Sequence, residues 1–397
     1  MNIIIIGSGV SGSVLADLLS KRGHKITVLE KENAPGGMCR SYYKEGFVYE
    51  YGPHILANHN SSEETMKYIR SKIDTVDTQL TTASCVNGKL TYYPPSVESA
   101  SVLGYGEQVK KEISNLPSNP DETNFETYLI SKVGRTLYQL FFENFTKKFW
   151  GVEPKKLSAE WAKIRHLGES INSKKMFFNE KWCAYPKNDW GELFGNLLKN
   201  IDVIYDVEVI KVDFNKKSLF LKNGDIINYD FLISTMHIDT LFDFKSGKLG
   251  YAGYRIEPVI LNKKCYIEYD DSPISMTYYP DKNVEYSRVT DYGTFQKKNI
   301  YPYNLKTMVT FEYPDHSIRL YPFSDKINNN LFKDYLTEIS KQVSVFSFGR
   351  MGLYKYLTSD TTVEMAFRAI EYIENWEKMD MEQRLRAYQK IRGDWKN

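Results

Sequence analysis

The first thirty residues alternate between apolar and polar stretches in the order strand, helix, strand. Residues 2–6 form a β-branched apolar run, residues 13–21 carry apolar side chains at helical spacing, and residues 25–29 form a second apolar run. The hexapeptide GSGVSG at residues 7–12 separates the first run from the helix. This order predicts a parallel βαβ unit with a glycine-rich turn after its first strand.

The glycine-rich turn has the G-x-G-x-x-G spacing of a dinucleotide-binding site. Gly7 permits the tight turn, Gly9 lets the backbone approach a pyrophosphate, and Gly12 allows the helix to pack closely on the strand. Glu30 follows the second strand, near the roughly 20 residues expected between this motif and the acid that binds a ribose. We therefore favour a dinucleotide site that includes Ser11 over an ordinary glycine-rich turn.

A later Gly-Gly loop narrows the choice of dinucleotide. A Gly36-Gly37 loop stands where a nicotinamide enzyme would begin its second βα unit, and it suits a chain that folds back along a longer cofactor. This feature favours FAD. The further residues that we predict to bind FAD are Gly37, Arg40, Gly349, Arg350 and Asp360.

The remaining pattern predicts several domains that share one chain path. Residues 125–149 are helix-like, residues 201–227 alternate like a small β-meander, residues 229–234 read as a buried strand, and residues 362–376 form an amphipathic helix. Residues 258–269 and 306–321 are β-rich. We expect a discontinuous FAD-binding domain (residues 1–80, 205–245 and 340–397), a helical domain (100–180) and a β-sheet substrate domain (81–99, 181–204 and 246–339).

Composition excludes several classes of protein. The 397 residues are 42% hydrophobic with a formal net charge of +2, so we expect a soluble globular chain with no nucleic-acid partner. The four cysteines are far apart, which predicts free thiols without a metal site or disulfides. We find neither an apolar run of about 18 residues nor a signal peptide, and expect a cytoplasmic protein without a membrane span. The 30 tyrosines have no explanation from composition alone.

The motifs in their order resemble the UDP-galactopyranose mutase family. The glycine fingerprint and the GRMG segment at residues 349–352 are common among flavin enzymes, whereas TKKFWG at residues 146–151 and YSRVT at residues 286–290 are more particular. The matching pieces also include YGPHI at residues 51–55, Asn87-Gly88, Tyr354 and Tyr356. The resemblance therefore covers most of the chain.

The resemblance implies an α/β fold, in which a Rossmann-like FAD-binding domain carries an inserted helical domain and an antiparallel β-sheet substrate domain. It implies an isomerase that interconverts the pyranose and furanose forms of a nucleotide-diphosphate sugar, UDP-galactose or a related UDP- or dTDP-hexose, without net redox change. FAD would act in its reduced form through N5 attack on the anomeric carbon, after reduction by NAD(P)H or another donor. It also implies a homodimer.

The resemblance also assigns roles to individual residues. Arg288 and Arg165 would bind the departing diphosphate, although His166 competes with Arg165 in that part of the alignment. His54 would lie against the flavin. The other implied site residues are Tyr321 and Tyr356 near the diphosphate, Trp150, Phe141, Phe142, Phe145, Phe177 and Asn87 around the nucleotide sugar, and Glu312, for which a solvated surface carboxylate is the alternative.

Some positions depart from the galactose enzymes. Phe145 and Phe177 stand where tyrosine is usual, and Thr358 stands where aspartate is usual. The lost polar groups leave open a 6-deoxy, N-acetylated or thymidine-linked sugar in place of galactose. Two other functions remain alternatives: an FAD oxidoreductase of the amine-oxidase or desaturase kind, and a flavin-binding redox sensor with Cys39 near the flavin loops.

Overall fold

A five-stranded parallel sheet forms the centre of the larger core. The computed structural model describes residues 1–58, 61–78, 80–168, 183–294 and 305–393. The predicted βαβ unit is confirmed, because the first two strands pair in parallel and the helix Val10–Ser20 connects them in the chain. In spatial order the strands of the sheet are Asp202–Ile204, Lys25–Leu29, Asn2–Ile6, Phe231–Ser234 and Val345–Ser347.

Helices cover the central sheet and bury its apolar side chains. Val10–Ser20 packs against both Ser359–Asn375 and Gly191–Leu197, while Lys326–Ser340 packs against Met381–Arg392. A three-stranded antiparallel meander adjoins this core, as the sequence predicted. The remaining elements of this region are the meander strands Val209–Asp213, Ser218–Leu221 and Ile226–Asn228, the helices Glu63–Arg70, Ile238–Leu241 and Gly349–Gly352, and the 3₁₀ turns Gly37–Cys39 and Trp376–Lys378.

The long C-terminal helices begin where their sequences supply caps. Thr358 and Thr361 form a reciprocal capping box before Ser359–Asn375, which therefore starts three residues earlier than predicted. Asp380 and Gln383 form another before Met381–Arg392, a helix that the apolar pattern did not reveal. Gly393 ends that helix with a φ of 72°, a conformation that favours glycine.

A six-stranded sheet forms the second region. Four of its five neighbouring strand pairs are antiparallel, as predicted, but Met276–Tyr278 pairs in parallel with Thr82–Val86. The purely antiparallel sheet expected here is therefore corrected to a mixed one. The strands in spatial order are Tyr254–Leu261, Thr307–Pro314, Arg288–Asp291, Met276–Tyr278, Thr82–Val86 and Lys89–Tyr92.

A helical region lies beside this sheet. The predicted helix over residues 125–149 is interrupted at Gly134, whose φ is 84°, and then includes a π-helical segment. The helices of this region are Val97–Val102, Gly106–Ile113, Phe125–Val133, Arg135–Leu137, Tyr138–Glu143 (π), Asn144–Trp150, Pro154–Lys156 (3₁₀) and Glu160–Ile164.

Small sheets join the regions. Cys183–Pro186 pairs with both Leu56–Ala57 and Thr75–Asp77, which links distant parts of the chain. Among the described residues, no helix is both long and apolar enough to cross a membrane. The remaining elements are the strand pairs Ser41–Lys44 with Phe47–Glu50, Tyr251–Ala252 with Tyr321–Pro322, and Glu268–Tyr269 with Ser272–Pro273, and the 3₁₀ turn Tyr292–Thr294.

The predicted domain boundaries differ from the observed packing in two places. Residues 181–204 were assigned to the substrate domain, yet Asp202–Ile204 extends the central sheet and Gly191–Leu197 packs on its first helix. Lys326–Ser340 was assigned there too, but its apolar face, including Phe332 and Leu336, is buried in the core of the central sheet. In both cases a helix buries its apolar face against the larger core. The local pattern shows that a helix is amphipathic but not which core it packs against.

Candidate active site

All three regions line one cavity of about 730 Å³. It opens at the carboxyl ends of the central strands, where ligands bind in open parallel sheets. Most of the site residues predicted from the sequence line this cavity. Those that line it are Gly7, Gly9, Ser11, Glu30, Gly37, His54, Phe141, Phe142, Phe145, Trp150, Arg165, Arg288, Glu312, Tyr321, Arg350 and Tyr356.

The glycine turn forms one end of the cavity. Gly9 caps the helix Val10–Ser20 without a side chain, so the helix N-terminus faces the cavity as an anion site would. Gly37 lies against Gly9 so closely that a Cβ on Gly37 would stand 3.2 Å from the Cα of Gly9. Both glycines therefore keep side chains out of the space beside the turn.

Glu30 is held beside this turn. Its side chain is 5% exposed and accepts hydrogen bonds from the backbone N–H of Ser8 at 2.7 Å and the hydroxyl of Ser8 at 2.6 Å. The carboxylate thus faces the cavity in a fixed orientation. The open backbone at the turn and this carboxylate fit the pyrophosphate and ribose of a dinucleotide, a part that FAD shares with the nicotinamide cofactors.

His54 marks the middle of the cavity wall. Its Nδ1 is buried and has no hydrogen-bond partner among the described residues, and its ring packs edge-on against Trp190. Burial, together with the positive charge of Arg350, lowers the pKa of His54 to about 3. His54 therefore lines the cavity as a neutral imidazole.

Glu50 lies behind His54 and was not identified from the sequence. Its side chain is fully buried, accepts a hydrogen bond from Tyr185, and leaves Oε2 without a partner among the described residues. Burial raises the pKa of Glu50 to about 8, although hydrogen bonds from Tyr185 and the backbone of His54 lower it. The carboxyl is therefore protonated at neutral pH.

This raised pKa predicts that the protein loses stability as the pH rises towards about 8. An unfolded glutamate titrates near 4.3, so between about pH 4.3 and pH 8 the folded protein keeps the Glu50 proton that the unfolded chain loses; stability falls as pH rises across this window and levels off above about 8. In Glu50→Gln this loss is absent, and between pH 6 and pH 9 the variant should gain roughly 2 kcal/mol relative to the natural chain. Urea unfolding at several pH values measures the difference.

The control for that experiment lies in the same hairpin. Glu45 is exposed at the turn between Ser41–Lys44 and Phe47–Glu50, and Glu45→Gln should leave the pH profile unchanged. A Glu50→Gln profile parallel to that of the natural chain would show that Glu50 is ionised in the folded protein.

Three guanidinium groups lie close to Tyr356. Arg165 Nη1 donates a hydrogen bond to the Tyr356 hydroxyl at 2.9 Å, and the Arg350 guanidinium carbon lies 4.8 Å from the centre of the Tyr356 ring. Burial alone would raise the pKa of Tyr356, but Arg165, Arg350 and Arg288 together lower it. Their combined positive charge makes this part of the cavity suitable for a diphosphate. Arg165, rather than its neighbour His166, lines the cavity.

Arg288 is paired with Glu312 on the neighbouring strand. Arg288 Nε donates to Glu312 Oε1 at 2.9 Å, and Nη2 lies 2.8 Å from Oε2, which makes a two-point contact. The Glu312 side chain is 1% exposed, so the alternative of a solvated surface carboxylate is wrong. Burial raises the pKa of Glu312 and so favours its neutral form. The negative charge of Glu312, however, holds the pKa of Arg288 well above its ordinary value. We therefore assign the two side chains as an ion pair.

Aromatic rings form the remaining walls. Tyr321 stacks on Tyr356 with ring centres 5.9 Å apart, and Trp150 packs edge-on against Trp161. The sequence missed Tyr93 and Tyr278, whose rings are 4.6 Å apart and line the cavity. The sequence signal near Tyr93 is the Tyr-Tyr-Pro-Pro segment at residues 92–95, whose pattern by itself indicates no role. Among the described residues, five of the chain's 30 tyrosines line this cavity, namely Tyr93, Tyr254, Tyr278, Tyr321 and Tyr356.

Five predicted site residues lie outside the described cavity wall. Arg40 donates to Asn33, Asn87 is an exposed turn residue with a φ of 51°, and the Asp360 carboxylate accepts hydrogen bonds from Ser61 and Thr358. Gly12 and Gly349 do not line the cavity. Their lack of a side chain allows Gly12 to pack closely on Gly7 and Gly349 to pack closely on Ser11, two residues that do line it. Phe177 lies outside the described residues.

Comparisons with known proteins agree with this architecture. The family model described as UDP-galactopyranose mutase matches residues 140–356, and one described as an NAD(P)-binding Rossmann-like domain matches residues 5–71. A probable UDP-galactopyranose mutase of Klebsiella pneumoniae is 24% identical over 93% of this chain and 94% of its own length. A dTDP-fucopyranose mutase of Escherichia coli is 26% identical over 94% and 98%.

A solved structure shows the same fold. The crystal structure of a reduced UDP-galactopyranose mutase superposes with a TM-score of 0.77 and 17% sequence identity, covering 98% of each chain. The expected Rossmann-like α/β fold is thereby confirmed. With the family model matching more than half of the residues, the cavity and its three arginines lie in a chain that belongs to the UDP-galactopyranose mutase family.

Proposed function

We propose that this protein is an FAD-dependent mutase that interconverts the pyranose and furanose forms of a nucleotide-diphosphate sugar. The observation that carries the proposal is the position of Arg165, Arg288 and Arg350 around Tyr356, in one cavity with the glycine fingerprint. A dinucleotide site and a diphosphate site that share one cavity suit a reaction between a flavin and a nucleotide sugar.

FAD would be held by the glycine turn, Glu30 and Gly37, with its ring towards His54. When bound in the reduced form, FAD supplies the nucleophile for the anomeric carbon of the sugar. The neutral His54 contributes a hydrogen-bonding nitrogen without adding a positive charge of its own.

The arginines would hold the leaving group. A nucleoside diphosphate gains negative charge as its bond to the anomeric carbon breaks, and guanidinium groups fixed in advance stabilise that charge. Arg165 is oriented by Tyr356 and Arg288 by Glu312, so neither needs to reorganise during the reaction. The same contacts keep the diphosphate near the sugar for its return.

The aromatic walls would exclude water and bind the nucleotide and sugar. Phe145 stacks parallel to Phe149 and meets Tyr278 edge-on, which gives an apolar surface at the place where the galactose enzymes usually carry a hydroxyl. We therefore propose a sugar other than galactose. The dTDP-fucopyranose mutase relative places a thymidine-linked 6-deoxy hexose among the first sugars to test.

The two alternatives fit the cavity less well. An amine oxidase takes a cationic or apolar substrate, but here three arginines make the cavity positive and the Glu312 carboxylate is already paired. A redox sensor needs a reactive thiolate, yet burial raises the pKa of Cys39 to about 12.

The direct test is turnover of nucleotide sugars by the FAD-loaded protein after reduction with dithionite. We expect a new furanose product from at least one of UDP-galactopyranose, dTDP-fucopyranose and UDP-N-acetylgalactosamine, and no product from the oxidised protein. Anion-exchange chromatography separates the two ring forms. No turnover with any of a broad set of UDP and dTDP sugars, together with rapid flavin reduction by an amine, would establish the oxidoreductase instead.

A further inference from the structure

Lys148 points into a ring of backbone carbonyl groups. Its Nζ lies 2.5 Å from the carbonyl oxygen of Tyr279, 2.9 Å from those of Val284 and Tyr286, and 3.1 Å from that of Asp281. All four acceptors belong to the loop of residues 279–286, which we call the carbonyl loop. Lys148 itself belongs to the helix Asn144–Trp150.

The carbonyl loop connects two strands that carry cavity residues. Met276–Tyr278 ends at Tyr278 directly before the loop, and Arg288–Asp291 begins two residues after it. On the other side, the helix of Lys148 presents Phe145 and Trp150 to the same cavity. One side chain thus links the helical wall of the cavity to the wall of the six-stranded sheet.

Four carbonyl oxygens around one point form a site for a cation. Their partial negative charges repel one another, and an ammonium group at their centre offsets that repulsion while it supplies three N–H donors. Backbone carbonyls at such distances also surround monovalent cations in proteins. Loss of the ammonium group would remove a donor that all four carbonyl oxygens share, which is unfavourable where they are partly buried.

We propose that Lys148 is a positioning residue, a tethered monovalent cation that holds the carbonyl loop against the helix Asn144–Trp150 and so sets the spacing between the two cavity walls. Phe145 and Tyr278, whose ring centres are 5.9 Å apart across this junction, keep that spacing only while the loop is held. Burial lowers the pKa of Lys148 to about 8, in line with its enclosed position. The inference rests on the proposed nucleotide-sugar site.

The test is the affinity of the FAD-loaded protein for UDP and dTDP, measured by calorimetry. We expect Lys148→Met to weaken the binding of whichever nucleotide the natural chain prefers by at least tenfold, with FAD retained. The matched control is Lys147→Met, which changes the adjacent lysine. Lys147 pairs with Glu143 and Glu153 outside the carbonyl loop, so this control should stay within twofold. Unchanged affinity in Lys148→Met would overturn the inference.

Chemical rescue separates a tethered cation from a general structural lysine. Lys148→Ala vacates the ammonium position, and methylammonium or K⁺ at 100 mM should restore part of the lost affinity, or part of the folded yield if the variant does not fold. Tetramethylammonium, which cannot donate hydrogen bonds, should restore less. A variant that responds to none of these cations would contradict the proposal. Failure of the natural chain to bind either nucleotide would instead count against the proposed function.

Discussion

Arg288→Ala is expected to lower kcat of the reduced, FAD-loaded protein by about 10²- to 10³-fold while FAD stays bound. The reason is that this guanidinium would face the diphosphate when negative charge develops on it, and loss of one such donor costs about 3 to 4 kcal/mol in the transition state. FAD should be retained, because the glycine turn and Glu30 lie on other elements. Turnover and flavin absorbance of the purified variant measure both effects.

The ion pair with Glu312 requires a second variant. Removal of Arg288 alone leaves a buried carboxylate unpaired, which typically destabilises a protein by about 3 to 5 kcal/mol. The double variant Arg288→Ala with Glu312→Gln should recover much of this stability without recovering activity. Arg255→Ala, an exposed arginine on the adjacent part of the same sheet, is the control. Near-normal turnover in the double variant would show that Arg288 does not serve the diphosphate.

Gly12→Ala is expected to abolish FAD binding. A Cβ on Gly12 would overlap the carbonyl oxygen of Gly7 and press on Ile5, so the glycine turn and the helix must separate. Overpacking of this kind costs about 1 to 3 kcal/mol in stability. It also displaces the backbone N–H groups that would bind the pyrophosphate. The purified variant should be colourless, and its Tm should be lower than that of the natural chain.

Gly195→Ala provides the matched comparison. Gly195 lies in the helix Gly191–Leu197, and a Cβ there meets no described atom within 4 Å. Alanine favours helix over glycine by about 0.5 to 1 kcal/mol, so this variant should keep FAD and be slightly more stable. Full flavin content in Gly12→Ala would mean that the turn tolerates the separation and that the fingerprint is not the cofactor site.

The sequence predicted the features that depend on local spacing. The glycine turn, Glu30 and the first βαβ unit follow from a short fragment whose geometry is set by neighbouring residues. Arg288 and Arg165 were also selected correctly as cavity residues, but only through a resemblance that covers most of the chain.

Features that depend on distant partners were not predictable in this way. Nothing in the local pattern placed Arg350 next to Tyr356 and Arg165, because that contact depends on the path of residues 350–356 beside the helical region. Glu50 looks like an ordinary strand residue until Tyr185 and Tyr292 bury it. Lys148 was part of a recognised motif, yet its four acceptors lie more than a hundred residues later.

The strand order of the central sheet also constrains how the protein is made. The sheet places Asn2–Ile6 between Lys25–Leu29 and Phe231–Ser234, so the second neighbour of the first strand leaves the ribosome about 225 residues after it. At roughly 5 to 20 residues per second, the N-terminal strand waits about 11 to 45 seconds for that partner. During this interval the β-branched segment of residues 2–6 has an unpaired edge. An unpaired strand edge is a template for pairing with another chain, so the order of synthesis exposes the first strand to aggregation for more than half of the time that the chain takes to be made.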